Sequence, residues 1–209
     1  MLAKLKYFFE ESWLLMVSAV VFGLLLAVTD AAWKGRIEEN TANRFSTLAG
    51  GLLTEAVRFE PLADPITIDI KGKPTIVNVK KGLNAENKTV GWAFVCEGSG
   101  FADKIQLVVA TDAKFEKMAG FGVLFSNETP GFGDKIKIAP KDGGFYQPQF
   151  LGAPVGLLTL TKTSDPKTID AEIVAISGAT VSSQAVVTTL NAWLVPIKEK
   201  LDAAGLLAQ

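Results

Sequence analysis

Three spacings of apolar residues succeed one another along this chain, and each predicts a different element. From Ser12 to Thr29 no residue is charged and most are Leu, Val, Ala, Phe or Met, until Asp30 ends the run. Eighteen residues rising about 1.5 Å each span roughly 27 Å, close to the thickness of a bilayer's hydrocarbon core. Trp13 and Trp33 bracket the run as interfacial anchors do. The pattern predicts one membrane-spanning helix within an anchor at 1–33. A cleaved signal peptide and a buried core helix stay open as alternatives. Ala31-Ala32 would suit cleavage, but the run is long for a signal and Glu10 and Glu11 offset Lys4 and Lys6 before it. Charge leaves orientation undecided, because Lys34 and Arg36 come after the span as Lys4 and Lys6 precede it.

Beyond the span, Gly35 to Leu53 is mixed, with Glu38, Glu39, Arg44 and Phe45 at helical spacing. This predicts a helical stalk at 34–54, broken near Gly50-Gly51. Pro61 and Pro65 punctuate the next stretch. Ile66 to Ile70, Thr75 to Val79, Val90 to Cys96, Ile105 to Ala110 and Phe121 to Phe125 alternate or are wholly apolar and read as strands. A further β-branched run spans Glu172 to Ile176. Then Val186, Leu190, Trp193, Leu194, Ile197 and Leu201 recur at three- and four-residue steps, one face of a long helix that Pro196 is expected to kink or end near Val195. The soluble part reads as one α+β domain at 55–209, a mixed or antiparallel sheet with a long carboxyl-terminal helix.

Composition removes whole classes of chemistry. The 209 residues include no histidine, which excludes Ser-His-Asp and Cys-His nucleophile systems and imidazole metal ligands. Cys96 is the only cysteine, so no intramolecular disulfide, CxxC pair or self-contained iron–sulfur cluster can form. It lies in an apolar run and is expected in the core. Redox chemistry would therefore need an organic cofactor. The net charge of −1, with no basic block, argues against nucleic acid as a partner.

Two segments remain as candidate chemistry. Ser177-Gly178-Ala179-Thr180 falls where the last strand gives way to the long helix. Free N–H groups and the positive end of the helix dipole favour an anion there. Gly178 lets the backbone bend and approach closely, while the hydroxyls of Ser177 and Thr180 can cap the helix, bond a phosphate or carry one covalently, with Ser182 and Ser183 nearby. A plain helix cap explains these four residues equally well. The second segment, Glu128-Thr129-Pro130-Gly131-Phe132-Gly133-Asp134-Lys135, comes directly after a strand and turns at Pro130-Gly131. Thr129 and Lys135 supply a hydroxyl and a cation suited to a phosphate or a polar ring edge. An ordinary connecting loop is the alternative.

Both segments in this order, behind a single span, resemble the RnfG and NqrC subunits of Rnf complexes and sodium-pumping quinone reductases, the FMN-binding domain family. The carriers are Glu-Thr-Pro-Gly-Phe-Gly at 128–133 and Ile-Ser-Gly-Ala-Thr at 176–180, with Gly100 to Ile105 matching a strand-entry segment. The length is nearer RnfG. In that family the closing threonine carries FMN through a phosphoester made by a separate flavin transferase from FAD. The resemblance thus implies Thr180 as a covalent FMN attachment site, framed by Ser177, Gly178, Ala179 and Ser182. It also implies a loop of Glu128, Thr129, Pro130, Gly131 and Gly133 against the flavin, to which Lys135 adds its cation. Val174 departs from the acidic residue common at its position, and Ser126 from a frequent histidine.

The implied function is a membrane-anchored electron-transfer flavoprotein subunit of an ion-translocating, ferredoxin:NAD-type oxidoreductase, with no catalysis of its own. Its soluble domain would lie on the periplasmic or extracellular side of the plasma membrane. Its partners would be the other membrane subunits, packing against Ser18, Ala19, Gly23 and Ala27, and a flavin transferase. The span lacks ionisable residues, so ion movement would fall to the partners. A membrane-tethered binding or sensor domain without a redox cofactor, and a stand-alone FMN electron carrier, are the other readings.

Overall fold

The computed structural model describes residues 2–70 and 72–207, with side chains from Glu10 onward. Helix α1 (Leu2–Leu52) opens the chain. Among the described residues of the unit ending at Asn43, the large apolar side chains from Trp13 to Val28 are exposed. By length and composition this helix can cross a membrane. Lys4 and Lys6, whose charges bear on orientation, have side chains outside the described residues.

The second unit, from Arg44 onward, holds β1 (Arg58–Pro61), β2 (Ile66–Ile70), β3 (Lys73–Val77), β4 (Lys80–Leu83), β5 (Thr89–Ser99), β6 (Lys104–Asp112), β7 (Met118–Ser126), β8 (Thr159–Thr161), β9 (Glu172–Val174) and α2 (Thr180–Ala203). Five strands form one antiparallel sheet in the order β1-β4-β5-β6-β7. Strands β2 and β3 pair as an antiparallel hairpin, and β8 and β9 as a short parallel pair.

Both faces of the main sheet are covered, which is why its central strands read as nearly continuous apolar runs. On one face Trp92, Phe94, Cys96, Leu107, Val109 and Phe121 pack with Val186, Leu190, Leu194 and Ile197 of α2. The alternate positions Ala93, Val108, Ala110 and Leu124 pack with Phe45, Ala49 and Leu53 at the end of α1. Small residues on that second face let the helix approach. A Cβ on Gly122 would stand 2.9 Å from a methyl of Leu48.

The two helix ends bear differently on the sequence expectations. Helix α1 ends near Gly50-Gly51, as expected, with Leu52 its last residue. Phe45, Ala49 and Leu53 are buried one helical turn apart, and that burial outweighs the roughly 1 kcal/mol that each glycine costs in a helix. Of the two outcomes expected at Pro196, an end near Val195 does not occur, since α2 runs on to Ala203. Ile197 and Leu201, beyond the proline, are fully buried, and their burial offsets the lost hydrogen bond. Strands β1, β4 and β8 escaped the sequence reading. Each is only three or four residues long, and charged or half-exposed residues hide its period.

Cys96 is free and fully buried, and burial pushes its thiol pKa well up. A thiol that stays neutral when folded contributes stability below its unfolded pKa of about 8.5. That contribution declines as pH rises further, because the unfolded chain gains the thiolate first. Iodoacetamide should therefore leave Cys96 unmodified in the native protein and alkylate it in denaturant, read by intact mass. Chemical denaturation should show stability falling above about pH 8.5 more in wild type than in Cys96→Ala.

Candidate functional site

The site forms where the segment after β9 enters α2 beside the loop that leaves β7. Gly178 adopts φ +79°, a left-handed conformation that suits glycine. The turn is closed by the Ala179 N–H donating to the Ile176 carbonyl at 2.9 Å. Thr180 is the first residue of α2, as its sequence position implied. Of the roles open to the Ser177 and Thr180 hydroxyls, capping is not the one they take. The N-cap is Ala179, and no side chain caps the helix. Its first N–H groups are thus left without a side-chain acceptor, at the end where the helix dipole favours negative charge.

Four hydroxyls cluster at this helix start, and they divide cleanly. Ser182 donates to Glu128 Oε2. Ser183 Oγ accepts the Ile176 N–H at 3.0 Å and donates to the Ala179 carbonyl at 2.9 Å. Both serines are buried. Ser177 is exposed and Thr180 half-buried, and neither hydroxyl enters any of the hydrogen bonds found among the described residues. Of the two, only Thr180 sits within the uncapped first turn.

Glu128 ties the loop to the helix. Its carboxylate is buried, at 3% exposure. Besides Ser182, it accepts the N–H groups of Phe101 at 2.9 Å and Ala102 at 3.1 Å, both from the turn between β5 and β6. That turn is held in part by Asp103, whose pKa is lowered chiefly by the Lys104 N–H and then by the Asn127 amide. Gly133 is buried beside this bond; a Cβ there would lie 2.8 Å from Glu128 Oε2 and would also meet Ser182 Oγ. A Cβ on Gly178 would stand 3.3 Å from the Phe132 ring. The two segments are therefore neighbours in space.

The remaining loop residues stand differently. The Thr129 carbonyl accepts from Phe132 and Asp134, each at 3.2 Å, and so shapes the loop. The side chains of Thr129, Pro130 and Lys135 are exposed, as is Gly131 at φ +78°. None of these four is drawn into the Glu128–Ser182 contact. Asp134 keeps one carboxylate oxygen buried without a partner. The sequence reading missed Gln149, which accepts the Val174 N–H at 2.7 Å and donates to the Val174 carbonyl at 3.2 Å. It also missed Tyr146, whose hydroxyl donates to the Ser183 carbonyl at 2.8 Å; burial holds its pKa well above the usual value. Neither residue belongs to a local motif, so only the fold reveals them. Among the described residues no acidic or cysteine cluster is placed to hold a metal ion.

Residues 100–195 match the family model of the FMN-binding domain. The chain is 31% identical over 177 residues to the G subunit of the ion-translocating oxidoreductase complex of Methanosarcina acetivorans, covering 85% of this chain and 87% of that protein. It is 28% identical over 194 residues to the G subunit of the Na(+)-translocating ferredoxin:NAD(+) oxidoreductase complex of Acetobacterium woodii, covering 89% of each. The fold is similar to that of Shewanella oneidensis NqrC, with a TM-score of 0.56 and 22% identity over 72% of this chain and 73% of that one.

Removing the Glu128 carboxylate should strand three donors. Glu128→Ala is expected to cost about 2–3 kcal/mol in chemical denaturation, the penalty for leaving buried polar groups unpaired. Gly133→Ala, which forces a methyl into the same contact, should also destabilise.

Proposed function

The chain belongs to the family of G subunits of ion-translocating oxidoreductase complexes, and on that premise we propose that it carries FMN covalently on Thr180, through a phosphoester, as a membrane-anchored electron-transfer subunit. The observation that carries this reading is the uncapped start of α2. It combines a hydroxyl free of internal hydrogen bonds at Thr180 with first-turn N–H groups that no side chain caps, the arrangement a phosphate ester requires. Ser177 and the exposed cation of Lys135 would add hydrogen-bond donors toward the phosphate. The buried unpartnered oxygen of Asp134 offers an acceptor that a ring N–H would satisfy. The residues present thus fit the group.

FMN bound here would supply an isoalloxazine able to take up and pass on electrons. The protein's own residues hold and orient it. Gly178 and Ala179 bring the backbone close, while Glu128 and Gly133 set the loop of Thr129, Pro130 and Gly131 beside the helix start. No histidine or other general base is required for this task. Helix α1 would anchor the subunit in the membrane, with the domain from Arg44 onward on the periplasmic or extracellular side. The partners would be the other subunits of an Rnf-type complex, of the ferredoxin:NAD kind that the Acetobacterium relative's name describes, and a flavin transferase that loads FMN.

Two measurements test this. A denaturing gel viewed under ultraviolet light should show a fluorescent band for wild type coexpressed with a flavin transferase and none for Thr180→Ala; fluorescence retained in the variant would refute the assignment. A colourless wild-type protein would instead favour the sensor reading. For orientation, the inert Cys96 gives a silent background. Lys114→Cys, at an exposed position, should react with a membrane-impermeant maleimide in intact cells, whereas labelling only after permeabilisation would reverse the topology.

A further inference from the structure

Between Val174 and Thr180 the chain makes its turn into α2, and two buried side chains grip it from outside. Gln149 is 2% exposed. Its amide meets both the N–H and the carbonyl of Val174, imitating a neighbouring strand on β9. Ser183 is fully buried and lies one turn into α2. Its hydroxyl reaches back to the Ile176 N–H and the Ala179 carbonyl, bracketing Ser177 and Gly178. Tyr146, in the same segment as Gln149, secures the Ser183 carbonyl.

Neither side chain hydrogen-bonds to Thr180, but both hold the backbone that leads into it. Ser183, the fourth residue of α2, bonds both sides of the turn, and no side chain caps the first N–H groups of the helix. We propose that Gln149 and Ser183 are positioning residues for Thr180, holding 174–179 so that its hydroxyl oxygen is presented to the flavin-side phosphorus of FAD in the transferase: the new P–O bond forms as the pyrophosphate P–O bond breaks, AMP leaves, and the hydroxyl proton passes to solvent. The proposal rests on the reading of Thr180 as the FMN attachment site.

The test uses the full chain in detergent as substrate for a flavin transferase with FAD. Gln149→Ala and Ser183→Ala should lower kcat for flavin incorporation by roughly 10–100-fold, the effect of an ångström-scale misplacement, with KM within about twofold of wild type because the exposed motif is intact. Hydrogen exchange of a peptide covering 174–180 should quicken in both. Ser183→Thr keeps the hydroxyl, and threonine in a helix readily bonds the carbonyl four residues back, so it should restore kcat. Val187→Ala, a buried truncation in α2 that touches none of these hydrogen bonds, controls for general destabilisation and should leave kcat unchanged. Unaltered kcat in both alanine variants, or an equal loss in Val187→Ala, would overturn the proposal while leaving the attachment site standing. A wild type that takes no flavin would overturn the attachment site itself and this proposal with it.

Discussion

A carboxylate removed from water must be surrounded by donors, and in this domain that requirement joins parts of the chain that are far apart. Glu128 is met by the turn between β5 and β6 and by Ser182, 54 residues further on. Unless all three segments arrive together, a buried charge is left partly unpaired, which costs more than any single contact gains. The bond therefore sets the spacing between the loop after β7 and the start of α2. The rest of the site takes its position from that spacing: Phe132 lies against Gly178, and Gly133 remains small because the bond passes beside it.

The sheet supplies the rigid reference. Its two apolar faces take different helices, α2 on one and the end of α1 on the other. Strands β5 to β7 are consequently immobilised from both sides, and loops leaving their ends inherit a defined origin. The start of α2 is similarly fixed, since Val186, Leu190 and Leu194 bury the body of the helix and fix its rotation about its own axis. Four hydroxyls near its first turn are thereby sorted into engaged and free, although by residue type alone they are nearly equivalent.

That sorting marks the limit of what the sequence could reveal. The central strands, the long helix and the apolar amino-terminal run were legible because burial imposes a period. The placement of Thr180 at a helix start was legible because β-branched residues give way there to helical spacing. Hydrogen-bond partnership was not legible. Ser177 and Thr180 have the residue types of caps, yet the position of the cap falls on Ala179. Gln149 has no motif, and its role depends on a pairing across 25 residues. Pro196 reads as a kink or an end because local propensity is visible in sequence, whereas the tertiary burial that carries α2 on to Ala203 is not.

The turn before α2 has one more consequence. Its shape depends on Gln149 and Ser183, and its place beside the loop on Glu128, contacts made only when sheet, loop and helix have assembled; an unfolded or partly folded chain contains the Ser-Gly-Ala-Thr sequence without the geometry. An enzyme that requires this geometry would act on finished domains and pass over misfolded ones. Loading of a prosthetic group at Thr180 would then serve as a checkpoint on folding, applied before the subunit enters its assembly.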